Sequence, residues 1–344
     1  VSRLRSKVKF VFGLGVSAIC LGFLFKTVES EDFLTELGKA EPGFLLCAVI
    51  ATLLSYVLRS VRWPFFFEFS RLTFPVAYRV VILGFFMNNV LPARMGEVVR
   101  AHLGGKATGL SRSIVLASIL GERLADGITI SLIFLVLFSI ETHLSPVEHS
   151  YALYYVSLAF FGFGVLTLGV IALRRWIFRI VDSIVALLPS YKLSNYGVSR
   201  FKHFIDGLAP MFTPARGVRV MVFSLIVWFV ELSIYYFVSR AFDSELSIGQ
   251  LSYFMAAVNF SSLIPGAPGG IGVIELFTTA ALQDIGVKSA AALSMVASVH
   301  VIQYFAVGIP GIYFFFSKGG RTEMVHDAAR ASDTESREAR KAQA

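Results

Sequence analysis

At 344 residues, with 56% hydrophobic side chains, 33 Phe and a mean hydropathy of +0.70, the chain exceeds the roughly 45–50% apolar content of soluble domains and reads as an integral membrane protein. Its formal net charge of +8 sits at the ends of apolar runs, which suits a membrane surface and removes nucleic acid as a partner. Cys20 and Cys47 both lie inside apolar runs, so neither a metal cluster nor a disulfide framework is expected, and no cofactor is implied.

In chain order, Arg3, Arg5, Lys7 and Lys9 precede the first apolar run, 10–25, and place the N-terminus in the cytoplasm. No A-x-A-like cleavage site follows that run, so it is expected to be a retained span. Residues 26–42 carry Glu29, Glu31, Asp32, Glu36 and Glu41 against Lys26 and Lys39, as an outer loop with a short amphipathic helix would. The run 43–58 returns inward to Arg59, Arg62 and Arg71. The next run, 80–91, is too short to cross, is broken at Pro92, and has inside-type charge on both flanks. The segment 80–106 is therefore expected to enter from the cytoplasm and turn back. A full span at 113–138, an acidic outer loop at 141–149 and a returning span at 151–173 follow. The stretch 174–216 mixes basic and apolar residues as interfacial amphipathic helices do. The run 220–238 goes out, 250–284 dips in from outside, and 290–316 returns to Lys318 and Arg321. Residues 1–318 then form one polytopic domain, and 319–344 a disordered cytoplasmic tail. Outer segments receive only Lys26, Lys39, Arg240 and Lys288, an asymmetry that places both termini in the cytoplasm.

The stretch NFSSLIPGAPGGIGVIE, 259–275, organises the second dip. The apolar runs beside it are each too short to span a core about 30 Å thick. Between them Pro265, Pro268, Gly266, Gly269, Gly270 and Gly272 stop the helix and permit close backbone approach. Irregular backbone at membrane depth needs protein or a water-filled cavity around it. The restarted helix is expected to aim its N-terminus at an anionic group in such a cavity. The two breaks share a weak pattern, Asn88, Pro92, Gly96, Glu97 against Asn259, Pro265, Gly272, Glu275. The expected fold is all-α and membrane-embedded, with about six full spans and two oppositely oriented broken or re-entrant helix pairs, an inverted repeat of the kind alternating-access transporters use, converging on one polar chamber.

Three stretches in this order, GFFMNNVLPARMGEVVRAHLGGK (84–106), SILGERLADG (118–127) and LIPGAPGGIGVIE (263–275), resemble the lysylphosphatidylglycerol-synthase transmembrane-region family of flippase-like membrane proteins. The resemblance covers residues 10–316. It implies a domain like the one that, in bacterial multiple-peptide-resistance proteins, moves aminoacylated phosphatidylglycerol between leaflets while a separate soluble domain makes it. Other members are fused to or act beside polyprenyl-phosphate glycosyltransferases. Here no inter-span loop is long enough for a catalytic domain and only a short tail follows residue 316, a departure that argues against synthesis.

Ionisable groups at membrane depth cost about 2.5–3.5 kcal/mol or more each and mark sites or internal pairs. Glu122 and Asp126 share a helix face where they repel unless a cation or proton intervenes, and Arg123 points elsewhere, within reach of Glu97 or a lipid phosphate. The cluster is either a substrate or proton site or a salt-bridge network holding the first broken helix. Arg94, Glu97 and Arg100 line one face after Pro92, and the two arginines suit a phosphate head group or snorkel to interfacial lipid. Asn88 and Asn259 stand ready to cap freed backbone or bind ligand. Glu231 is either protonated or paired, with Arg123 or His300, so that Glu231 and His300 are candidate proton or cavity-lining residues, and Glu275 either exchanges protons or caps its own helix. His300, Gln303 and Tyr304 form a polar stripe.

The leading expectation is therefore a lipid flippase of the inner, cytoplasmic membrane. Its partners would be membrane lipids with an anionic or polyprenyl-phosphate head group, and a separate lipid-modifying synthase or glycosyltransferase. The alternatives are a membrane transferase with Glu97, Glu122 or Asp126 as base, and an accessory subunit of such an enzyme.

Overall fold

The computed structural model describes residues 14–24, 26, 28–67, 72–91, 95–144, 152–185 and 213–317. The helices are α1 (Leu14–Leu24), α2 (Ser30–Gly38), α3 (Pro42–Arg62) running into a 3-10 turn at Trp63–Phe66, α4 (Phe74–Val90), α5 (Gly96–Thr108) and α6 (Arg112–Leu144). They continue with α7 (Ala152–Ala172), α8 (Arg174–Val185), α9 (Pro214–Ala241), α10 (Ile248–Ser261), a 3-10 turn at Pro268–Gly270, α11 (Val273–Asp284) and α12 (Ser289–Phe316). No strand occurs among the described residues.

Five helices, α3, α6, α7, α9 and α12, are long and apolar enough to cross a bilayer, and the chain is a multi-pass, all-α membrane protein. The sixth expected span, 10–25, is described over Leu14–Leu24. Pro92, Arg94, the stretches 186–212 and 319–344, and with them the second half of the expected interfacial helices and the tail, lie outside the described residues. The described part of that interfacial stretch, α8, has the sequence RRWIFRIVDSIV and is strongly amphipathic.

Local chemistry sets the helix ends. Pro42, Pro75 and Pro214 stand in the first turns of α3, α4 and α9, where a missing N–H costs nothing. Ser247 and Gln250 cap α10 reciprocally. Gly109, at φ 72°, ends α5 in the left-handed region.

Packing pairs the two halves. Helix α3 lies along α9, the most extensive contact in the molecule. Each contact of α3–α6 has a counterpart in α9–α12: α4 meets α5 as α10 meets α11, α5 meets α6 as α11 meets α12, and α4 meets α12 as α10 meets α6. Small residues allow the closest approaches. A Cβ on Gly96 would overlap the Gly84 carbonyl and the Asn88 backbone, so α5 is pressed against α4 at their shared break. Among the described residues three apolar clusters fill the interior, one around Phe134, Tyr235, Phe254 and Met295, another around Trp63, Phe66, Leu83 and Ile119, and a small one of Leu24, Val28 and Leu293. Phe163 and Leu166 on α7 and Phe305 and Ile309 on α12 remain exposed, as lipid-facing side chains are.

Candidate functional site

The polar centre is assembled from α3, α5, α6 and α9. Arg62 is fully buried, Glu122 is 1% and Asp126 4% exposed. Arg62 donates to both carboxylates, to Asp126 Oδ1 at 2.5 Å and to Glu122 Oε1 at 3.2 Å, and to Ser224 at 2.7 Å. Arg59 bridges Asp126 and Glu231, both at 3.3 Å. Trp228 donates to Asp126 at 2.9 Å, and Ser55 donates to Glu231. Arg100 closes the far side with a 2.6 Å ion pair to Glu122. The guanidinium planes of Arg59 and Arg100 lie over Trp228 and Trp63, at 4.7 and 4.5 Å from the ring centres. Arg59, Arg62 and Arg100 thus balance Glu122, Asp126 and Glu231. Buried ions at this depth persist only when paired and hydrogen-bonded.

Several expectations change here. Glu122 and Asp126 face Arg62 rather than an open chamber, because Arg62 enters between them and replaces the cation their spacing demands. Glu231 is paired with Arg59, not with Arg123 or His300, because α3 packs along α9 and brings Arg59 to its depth. Arg59 and Arg62 themselves read as ordinary cytoplasmic flanking charge. The one signal that distinguishes them is their spacing of three residues before the aromatic run WPFFF, which places both on one face of α3.

The first break lies between Val90 and Gly96. Arg123 donates to Glu97 at 3.2 Å, one of the two partners open to it, with side chains 36% and 23% exposed. Together with Gly84, Phe85, Asn88 and Arg100 this pair lines a pocket of about 10 Å³, which is close to the room one water needs. Two buried polar atoms on this wall, Asn88 Oδ1 and Arg100 Nε, have no hydrogen-bond partner among the described residues. Such orphans call for a water, an ion or a ligand. A second cleft of about 190 Å³ opens between the other ends of α4 and α5, lined by Val76, Val80, Leu83 and Leu103 with Arg79 and Lys106.

The second break is closed. Pro265 is exposed, and Gly269 and Gly270 take φ 73° and 79° in the turn at Pro268–Gly270. At the restart of α11 the chain's own carboxylate takes the place expected for an anionic ligand, Glu275 accepting the Gly272 N–H at 2.6 Å, and before the turn Ser17 of α1 accepts the Ala267 N–H at 2.8 Å. His300 contacts Glu275 Oε1 through Nδ1 at 2.5 Å and the Gly269 carbonyl through Nε2 at 3.0 Å. Tyr304 donates to the Pro268 carbonyl at 3.2 Å. Asn259 donates to Met255 O, one turn back in its own helix, so it caps nothing at the break. No group of His, Cys, Asp and Glu able to hold a metal occurs among the described residues.

Residues 10–311 match the family described as the lysylphosphatidylglycerol synthase TM region. The chain is similar to a UPF0104 membrane protein of Pyrococcus horikoshii, 23% identical over 78% of this chain and 84% of that protein. It is similar to another UPF0104 membrane protein from Methanothermobacter thermautotrophicus, 22% identical over 88% of this chain and 94% of that protein. It is also similar to the glycosyltransferase AglD of Haloferax volcanii, 24% identical over 97% of this chain but only 58% of that protein's length.

Proposed function

Because the chain belongs to the lysylphosphatidylglycerol synthase transmembrane-region family, we propose that it moves a lipid with an anionic head group between leaflets of the inner membrane, with both chain termini in the cytoplasm. The observation that carries this reading is the wall of the first break, where the half-exposed Arg123 stands beside Asn88 Oδ1 and Arg100 Nε, which have no partner among the described residues. A phosphate would take Arg123 from Glu97 and accept from Arg100 Nε, an exchange of one anion for another at a planar donor. Asn88 Oδ1 is an acceptor and suits an ammonium or hydroxyl elsewhere on the head group, as in an aminoacylated phospholipid or a polyprenyl-phosphate sugar. The apolar cleft at the other end of α4 and α5, with Arg79 and Lys106 at it, gives the same helix pair a second place for an anionic amphiphile.

The pocket as it stands holds about one water, so a head group enters only when α4 and α5 part and the Arg123–Glu97 pair opens. The matching contacts of α3–α6 and α9–α12 support an inverted repeat in which the two broken pairs, one re-entering from each side, rock against each other along α3 and α9. The charged cluster joining α3, α5, α6 and α9 is then the rigid hub, and its carboxylates, filled by arginines, serve positioning rather than base catalysis.

The test is movement of head-group-labelled phosphatidylglycerol, aminoacyl-phosphatidylglycerol and polyprenyl-phosphate sugars in vesicles containing the purified protein. Movement above empty vesicles that is lost in Arg123→Gln supports the reading, and no movement of any of them overturns it for these lipids. A second reading, an accessory subunit of a separate lipid-modifying enzyme, draws on the AglD likeness, since 42% of that glycosyltransferase lies outside the 58% that is matched. Co-purification with a glycosyltransferase or synthase tests it.

A further inference from the structure

The geometry at the second break points to a ligand smaller than a lipid. We infer that Glu275 and His300 form a proton-binding site, and that the bound proton latches the Pro268–Gly270 turn onto α12. The two contacts of His300 together need two donated protons. His300 presents Nε2 to a backbone carbonyl, which only accepts, and Nδ1 to a carboxylate oxygen, which accepts when ionised. A neutral imidazole carries one N–H, so with an ionised Glu275 one of the two contacts is acceptor against acceptor. Both become hydrogen bonds only when the pair holds one more proton, either on Nδ1 of the ring or on Glu275, which then donates to Nδ1. Glu275 is tied to the backbone as well, through the Gly272 N–H at 2.6 Å. Losing the proton therefore weakens the link between the restart of α11 and the turn before it.

The surroundings isolate this pair. Tyr304, with ring centres 4.9 Å apart, is the other titratable group against His300, and its hydroxyl is committed to the Pro268 carbonyl. Among the described residues, α1 brings Ser17 to the break, and α4 meets α12 through Phe86 against Gly311 and Tyr78 against Phe314. The charged groups on the other elements packed against α12 are engaged or turned out: Glu36 of α2 with Lys39, Glu31 and Asp32 exposed, Arg59 and Arg62 of α3 with Asp126 and Glu122 of α6 and Glu231 of α9, Arg240 of α9 with Glu245, Arg219 of α9 and Asp284 of α11 exposed, and Arg79 of α4 at the cleft with Lys106. Tyr56 of α3 packs on Phe85 and Tyr235 of α9 meets Asn259. The turn itself packs on α4, whose Gly84, Phe85 and Asn88 line the pocket of the first break. Proton occupancy at one break is thus one helix away from the candidate lipid site at the other, and the proton becomes the coupled ion if the lipid-moving reading holds.

The test does not use lipid movement, so its failure is separate from failure of that reading. Amide exchange of residues 262–275 is followed by mass spectrometry on the full chain in nanodiscs from pH 5 to 9, corrected for the intrinsic pH dependence of exchange. The wild type is expected to lose protection about tenfold in a single one-proton step as pH rises, the effect of one hydrogen bond. Glu275→Gln reproduces the protonated pattern without the carboxylate, its amide donating to Nδ1 of a neutral His300 and its oxygen accepting from Gly272, so it is expected to stay protected as pH rises to 9. His300→Ala is expected to be unprotected throughout, and if it fails to fold, the wild type against Glu275→Gln decides alone. A wild-type profile without a step, or the same step in Glu275→Gln, overturns the proposal.

Discussion

The break between α4 and α5 and the break between α10 and α11 interrupt helices at corresponding places in two similarly packed sets of four, yet they meet their backbone obligations differently. At the second, the freed groups are satisfied from within: Glu275 and Ser17 take N–H groups, while His300 and Tyr304 take carbonyls. At the first, glycines press α5 onto α4, and the wall keeps two polar atoms without partners among the described residues beside a half-exposed arginine. A break that satisfies itself suits a structural or switching element, whereas one that leaves donors and an acceptor over suits a binding site. Chain interruption alone does not distinguish them.

The comparison breaks most visibly if the hub joining both halves is disturbed. Asp126→Ala leaves Arg62, Arg59 and Trp228 without their common acceptor, and is expected to cost about 3–5 kcal/mol, read as a large fall in thermal unfolding temperature in detergent. Next comes Gly96→Ala, whose Cβ meets backbone of α4 that cannot swing aside. It is expected to cost about 1–3 kcal/mol and to abolish lipid movement by prying open the first pair. At the second break Gly269→Ala meets Tyr304, a side chain that can yield, so the cost is the left-handed backbone at φ 73°, about 1–2 kcal/mol. Combining it with Tyr304→Phe is expected to remove the hydroxyl overlap, so the double variant falls short of the sum of the singles. Smallest in stability is Arg123→Gln, expected to change unfolding by less than about 1 kcal/mol because the Arg123–Glu97 pair is partly exposed, while eliminating lipid movement. If Arg123→Gln destabilises the fold as strongly as Asp126→Ala does, the first break is structural too and the contrast fails.

Much of this was legible in the residues. The Pro and Gly run at 265–272 announces an interrupted helix, Glu97 was one of the two partners open to Arg123, and Glu275 sits where a carboxylate caps a restarting helix. The partners of Glu231 and His300 were not legible, because each is contributed by another helix: Arg59 for the first, and Glu275 with the Gly269 carbonyl for the second. Arg59 and Arg62 were misleading in a specific way. Charge counting treats an arginine at the end of an apolar run as interfacial, and nothing local states that α9 will cover it.

What the sequence determined by itself was the membrane class, the places of the long apolar helices, the two interruptions and the family, since hydropathy, helix-stopping residues and motif order are properties of the chain read along its length; it counted about six full spans where, among the described residues, five helices are long enough to cross. What only the tertiary structure decided was which charges meet, which interruption is filled and which is left open, because a buried ion or an orphaned polar atom is defined by what another helix places against it.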